Sequence, residues 1–254
     1  MNLIIGRKPV LEALNSDDEI TQVYILYGQE GGIINAIRVA AKKRGIKVNQ
    51  IPLERFRQIV KDKNAQGVAA IKSSFKFYSL HEIIELSKTK KNKALFFGEG
   101  LGEAPLLLIL DSIQDTHNVG AILRTAECSG VDGIIITKHN SAPINETVAK
   151  TSAGASELVK ICQVNNLANA IDELKKEGFW IIGSYLGNSK PYTEIDYKMP
   201  VALIVGNEEK GIRKLTADKC DFLVHIPMKG KIQSLNVSVA TGILLFEILR
   251  QRAD

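Results

Sequence analysis

The 254-residue sequence is short of the patterns that several function classes require. Its three cysteines, Cys128, Cys162 and Cys220, are odd in number and widely spaced, so neither a disulfide framework nor a thiolate metal cage is expected. The four histidines, His81, His117, His139 and His225, show no HExxH or similar ligand spacing, and no metal is expected. A catalytic Cys–His pairing stays open, although free cysteines are more often buried and inert. Aromatic residues make up 6% of the chain, too few for base-stacking platforms to be the main binding device. Apolar runs such as 106–110 (LLLIL) are far too short to span a bilayer, so no membrane partner is expected. The opening MNLIIGRKPVLEALNSDDE has no lone basic segment followed by a long apolar stretch. No secretory signal is therefore expected, and a cytoplasmic location fits the unpaired cysteines.

What is there is an ordinary globular composition, 45% hydrophobic and 24% charged, long enough for one large domain or two modest ones. The net charge of +5 hides an asymmetry: residues 1–100 hold 17 basic against 10 acidic residues, and 101–254 hold 16 against 18. Basic blocks at Lys42, Lys43, Arg44 and Lys47, and at Lys88, Lys90, Lys91 and Lys93, would favour a polyanion such as nucleic acid. On charge alone a solvated lysine-rich surface explains them equally well.

Residues 1–75 read as a small α/β unit, with helices over 6–14, 32–45 and 55–63 and strands over 21–26, 46–51 and 66–72. From 76 to 104 the pattern weakens. Charges cluster, Gly98, Gly100, Gly102 and Pro105 follow closely, and the segment reads as a linker that includes a possible helix around 81–88. Over 105–254 strands are expected at 106–111, 133–137, 158–162, 179–186, 201–206 and 222–227, and helices at 119–130, 167–178 and 234–252. Near-continuous apolar strands alternating with helices imply a parallel sheet buried on both faces. The pattern alone gives a doubly wound α/β domain with its ligand at the carboxyl ends of the strands.

Three segments place polar and small residues where strands hand over to helices. In the first, Asn118 falls where a helix N-cap belongs, and a simple cap and a catalytic role are both open. Arg124 lies about two turns further on among Ala121, Ile122, Leu123 and Ala126. Arginine is costly to bury unpaired, so an anion or carboxylate partner is expected. The second segment brackets Glu208 and Glu209 between Gly206 and Gly211, without the GK[ST] of a phosphate-binding loop. Paired acid–base work is one reading, but sequence neighbours usually point apart. The third, 226–240, holds Ser234 as a possible helix cap and Asn236 in what would then be the first helical turn, where its propensity is poor.

The run Asn118-x-Gly-Ala-x-x-Arg124-Thr-Ala, the loop Gly206-x-Glu208-x-x-Gly211 and IPMKGKIQSLNVSVATGILLFE resemble, in order and spacing, the three motifs of the SpoU (TrmH) class of SPOUT methyltransferases. GRKPVLEAL and QGVAAIK are similar to the opening and close of the L30e-like domain in the branch that methylates guanosine in 23S ribosomal RNA. Ala65 departs from the histidine common there. The resemblance implies an α/β fold with a small N-terminal L30e-like RNA-binding domain (1–75), a linker (76–104) and a C-terminal trefoil-knot (SPOUT) domain (105–254). It implies S-adenosylmethionine as cofactor, held by Gly206, Ile226 and Leu235 with Met228, Leu186 and Gly187 close by. Transfer would be to a ribose 2′-hydroxyl, of ribosomal RNA first and transfer RNA as the alternative. Arg124 would grip phosphate and favour the developing alkoxide, while Asn118, Glu208, Ser234 and Asn236 orient Arg124 and the ribose. A homodimer joined through the knot and last helix is implied. A catalytically silent knotted RNA binder and an RNA-independent nucleotide enzyme are the competing readings.

Overall fold

A computed structural model describes residues 2–16, 20–60, 65–72, 75–97, 104–208, 210–231 and 234–253, with no side chain described at 2 or 90–97. The glycines at 98, 100 and 102, the lysine side chains at 90, 91 and 93, and Glu209 lie outside the described residues. The chain divides into two compact units, Met1–Ser74 and Phe75–Asp254.

The first unit runs β1 (Asn2–Ile5), α1 (Arg7–Asn15), β2 (Ile20–Leu26), α2 (Gly32–Lys43), β3 (Lys47–Ile51), α3 (Leu53–Ile59), β4 (Val68–Lys72). Its sheet has the order β1-β4-β2-β3, with β4 antiparallel to β1 and β2, and β3 parallel to β2. Side chains alternate across a strand, and β2 uses both faces. Val23 and Ile25 meet Val10, Leu14, Ile34 and Ile37 of α1 and α2, whereas Tyr24 and Leu26 turn towards Phe56 and Val60 at α3. The expected elements are present, α3 begins two residues earlier than its pattern, and β1 is an addition too short to show periodicity.

The second unit continues with β5 (Phe77–Tyr78), α4 (Leu80–Phe97), β6 (Leu106–Asp111), α5 (Thr116–Cys128), β7 (Gly133–Thr137), α6 (Glu146–Thr151), α7 (Ala155–Leu158) and β8 (Ile161–Val164). It ends with α8 (Leu167–Lys176), β9 (Trp180–Ser184), β10 (Lys190–Pro191), β11 (Val201–Gly206), α9 (Lys214–Ala217), β12 (Phe222–His225) and α10 (Val237–Ala253). All eight strands are parallel, in the order β10-β12-β9-β11-β6-β7-β8-β5. Leu106, Leu108 and Leu110 face α5 and α10 on one side of the sheet. Leu107 and Ile109 face α4 and α8 on the other. Burial on both faces is why β6, β7 and β11 read as unbroken apolar runs.

Among the boundaries that differ from expectation, three have a visible cause. The supposed linker is structured over 77–97: β5 pairs with β8, and Ile83 and Ile84 of α4 are buried in the second core, contacts too distant in sequence to show as local pattern. The strand expected from 158 starts at Ile161, because residues 155–158 close a helical turn that leaves Leu158 exposed. Finally, α10 starts at Val237, three residues later than expected, and Arg252 fastens its far end by donating to the carbonyls of Tyr197 (3.0 Å) and Met199 (2.9 Å). Among the described residues no helix is long and apolar enough to cross a membrane.

Candidate active site

At the carboxyl ends of β9, β11 and β12 lies a cavity of about 440 Å³. All six positions expected to hold a cofactor line it: Leu186, Gly187, Gly206, Ile226, Met228 and Leu235. The wall at Gly206 admits no side chain, since a Cβ there would stand 2.2 Å from the carbonyl carbon of Gly211 and the nitrogen of Ile212. That closeness comes from a bridge in which Asn207 and Gly211 exchange two backbone hydrogen bonds (3.1 and 2.8 Å), with Gly211 at φ 65°. Glycine is the residue that reaches such a φ without strain. The loop is then tied to the end of β6. The carboxylate of fully buried Asp111 accepts from the backbone nitrogen of Arg213 (3.0 Å) and from its Nε (2.7 Å). Ser112, next to it, holds an uncommon φ of 64°.

A polar clasp joins three distant segments at this loop. Asn118 Nδ2 donates to Glu208 Oε1 (2.5 Å), and Asn236 Nδ2 donates to Asn118 Oδ1 (2.9 Å). Asn118 is not the N-cap of α5. Asp115 fills that role, accepting from the His117 nitrogen at 2.9 Å, which places Asn118 in the first turn with its amide free to reach across. The cap of α10 is likewise Asn236 rather than Ser234: Asn236 Oδ1 accepts from the Ser238 nitrogen (2.9 Å) and its carbonyl from Ala240 (3.0 Å). Ser234 lies before the helix and lines the cavity, as does Glu208.

Arg124 stands apart. It is exposed on α5, does not line the cavity, and has no hydrogen bond or ion pair among the described residues. Arg124 is thus exposed rather than buried, no carboxylate partner for it is found among the described residues, and Asn118, Glu208, Ser234 and Asn236 make no hydrogen bond to it there. Its apolar neighbours Ile122, Leu123 and Ala126 belong to the other faces of the helix, which pack on the sheet.

Two features escaped the sequence. His225 lines the cavity, and its Nδ1 lies 2.9 Å from Ser189 Oγ. Because Ser189 gives its one proton to the carbonyls of Tyr185 (2.8 Å) and Gly187 (3.1 Å), His225 Nδ1–H is left to donate into it. This bond braces the loop carrying Leu186. The other feature is Asp111, whose burial no local pattern distinguishes from an ordinary strand end. Two of the three cysteines are poor nucleophiles: burial pushes the Cys162 thiol up to about 11 and the Cys220 thiol up to about 12, so both stay protonated at neutral pH, while exposed Cys128 does not line the cavity. Among the described residues no cluster of histidine, cysteine and carboxylate side chains is fit to hold a metal.

Residues 105–246 match the model of the SpoU rRNA methylase family, and residues 3–78 match the RNA 2′-O ribose methyltransferase substrate-binding domain. The chain belongs to the SpoU rRNA methylase family. Relatives of this SpoU chain extend over its whole length. A protein named for the TrmH family of tRNA/rRNA methyltransferases, YacO of Bacillus subtilis, is 35% identical over 98% of this chain and 95% of its own. One of the same family name in Staphylococcus aureus is 38% identical over 99% and 97%. Among solved structures, an AdoMet-bound rRNA methyltransferase from Sinorhizobium meliloti is 27% identical with a TM-score of 0.60, covering 98% of this chain and 86% of that one. A TrmH/SpoU tRNA modifying enzyme from A. aeolicus is 33% identical with a TM-score of 0.56, covering 68% and 82%. This SpoU chain is thus an RNA 2′-O-ribose methyltransferase, with the substrate-binding domain in its first unit and the methylase domain in its second.

Proposed function

We propose that the chain methylates the 2′-hydroxyl of a guanosine ribose in large-subunit ribosomal RNA, acting as a homodimer with S-adenosylmethionine as methyl donor. The observation that carries the reading is the Asn118–Glu208–Asn236 clasp beside a cavity walled by glycine backbone and apolar side chains. Such a wall suits a ligand held through backbone groups, and about 440 Å³ falls within the usual range of small-molecule sites.

When bound, S-adenosylmethionine supplies an electrophilic methyl on a sulfonium, so the protein must provide alignment and a more nucleophilic hydroxyl. Gly206 at the end of β11 and Ile226 and Leu235 beyond β12 would hold the donor, with Met228, Leu186 and Gly187 lining the same cavity. Glu208 keeps its second carboxylate oxygen to accept the proton that the ribose hydroxyl gives up, while Asn118, Asn236 and Ser234 fix where that carboxylate and the sugar sit. A guanidinium stays protonated and accepts no proton, so Arg124 acts electrostatically, gripping the adjacent phosphate and favouring the alkoxide as it forms. Its lack of a hydrogen bond or ion pair among the described residues supports that role. The trefoil knot belongs to this reading, supported by a strand order in which β11 fills the gap between β9 and β6.

The test is transfer of labelled methyl to naked large-subunit RNA, assembled subunits and transfer RNA, with the modified ribose mapped. A single 2′-O-methylguanosine in large-subunit RNA is expected. Label confined to transfer RNA overturns the substrate, and no label in any RNA favours a silent RNA binder.

A further inference from the structure

The first unit carries a concavity that the chemistry above does not use. It encloses about 460 Å³ between Arg38 and Lys42 of α2, Gly45 and Ile46 of the turn beyond, and Val48 and Gln50 of β3. β3 is an edge strand paired only with β2, so the groove opens along the side of the sheet. Arg38 and Lys42, four residues apart, share one face of α2. Lys43 and Lys47 add charge at the same end, both exposed.

The basic block here has divided its work. Arg44 is spent on the fold: its Nη1 donates to the carbonyls of Ala13 (3.1 Å), Leu14 (3.0 Å) and Ser16 (3.1 Å), closing the end of α1. Arg38, Lys42, Lys43 and Lys47 have no hydrogen bond or ion pair among the described residues. A favourable interaction with the α2 dipole accounts for Lys42 and Lys43, which stand in its last turn. It does not account for Arg38 a turn earlier, or for Gln50 facing it across the groove.

We propose that the α2–β3 groove is a backbone-tracking surface that holds phosphates of the substrate RNA, a reading that rests on the RNA methyltransferase function above. A guanidinium fork and an ammonium on one ridge, facing an amide across a shallow apolar floor of Ile46 and Val48, offer donors to phosphate and sugar. No aromatic ring lines the groove to stack a base, so it grips chain direction and not sequence.

The experiment uses the full-length chain and naked large-subunit ribosomal RNA, comparing wild type with the double variant Arg38→Gln, Lys42→Gln. Loss of two phosphate contacts is expected to lower the slope of log affinity against log salt by about 1.4 to 1.8, and to weaken binding on the order of tenfold at low salt. Thermal stability and S-adenosylmethionine affinity should stay at wild-type values, since neither side chain has a hydrogen bond or ion pair among the described residues. Arg38→Lys with Lys42→Arg should recover the slope. An unchanged slope and affinity overturn the groove, as does weakening seen only with assembled subunits, which would indicate a protein contact. A wild type that binds RNA and transfers no methyl would refute the methyltransferase reading. The slope change in that same chain would still support the groove.

Discussion

Asn118 is held in one orientation by chemistry. An ionised Glu208 only accepts, so the Asn118 amide must turn its nitrogen to Glu208 and leave its oxygen to Asn236. Asn118→Asp would set a second acceptor against the carboxylate and push the two apart. The expected outcome is a fall in kcat on the order of 10²-fold, the usual scale for a displaced catalytic group, with donor affinity much less affected. A variant that loses affinity at unchanged kcat would instead make the clasp a brace for the cavity. Arg124→Lys keeps the charge and loses the fork, and a drop of similar size is expected in single-turnover transfer. Near-wild-type turnover would remove Arg124 from the chemistry. Asn118, Glu208 and Asn236 stood out in the sequence through the motifs they share with a known family, since on the residues alone a helix cap explained Asn118 as well as a catalytic role did. Their mutual contact was not legible, since 90 residues separate the first pair and 118 the second. The same holds for His225 and Ser189, 36 residues apart and unremarkable singly.

Helix α5 of the catalytic unit depends on a glycine that its sequence motif does not explain. A Cβ on Gly120 would stand 1.8 Å from Thr151 Oγ1 and 2.7 Å from Thr151 Cβ, because α5 presses directly on α6. Alanine gains about 1 kcal/mol in helix propensity over glycine, but overpacking costs about 1–3 kcal/mol and displaces the turn that carries Asn118. Gly120→Ala is therefore expected to lower the denaturation midpoint, and Thr151→Ala in the same chain to recover part of the loss. A stabilised single variant would show the contact to be slack. Elements were legible where burial leaves a local mark. β6 and β11 have the expected bounds because both faces are apolar, and α8 starts where expected because its buried Leu167, Ile171 and Leu174 recur at helical spacing. The start of α10 was not legible, since its cap is set by the Asn236 hydrogen bonds and Ser234 has equal claim on composition.

For the molecule as a whole, the charge asymmetry follows the division into units more sharply than the raw sequence suggested. Met1–Ser74 holds 12 basic against 7 acidic residues, and Phe75–Asp254 holds 21 of each, so the whole net charge falls on the substrate-binding unit. The neutral catalytic unit can then meet a second copy of itself without strong repulsion. The proposed dimer would use its last helix. Thr241, Leu244, Leu245 and Ile248 of α10 are buried against the unit's own core, yet Val239 and Phe246, two turns apart on another face, remain 50% and 49% exposed. Exposed apolar side chains repeated along a helix otherwise buried in a core mark a surface awaiting a partner. Phe246→Glu is expected to convert the proposed dimer to monomer at micromolar concentration, read by sedimentation, while leaving the fold intact because Phe246 is half in solvent already. Methyl transfer should fall with the dimer and recover as protein concentration rises, a dependence that damage confined to one chain would not produce. A dimer that survives Phe246→Glu and Val239→Glu together would move the interface away from α10.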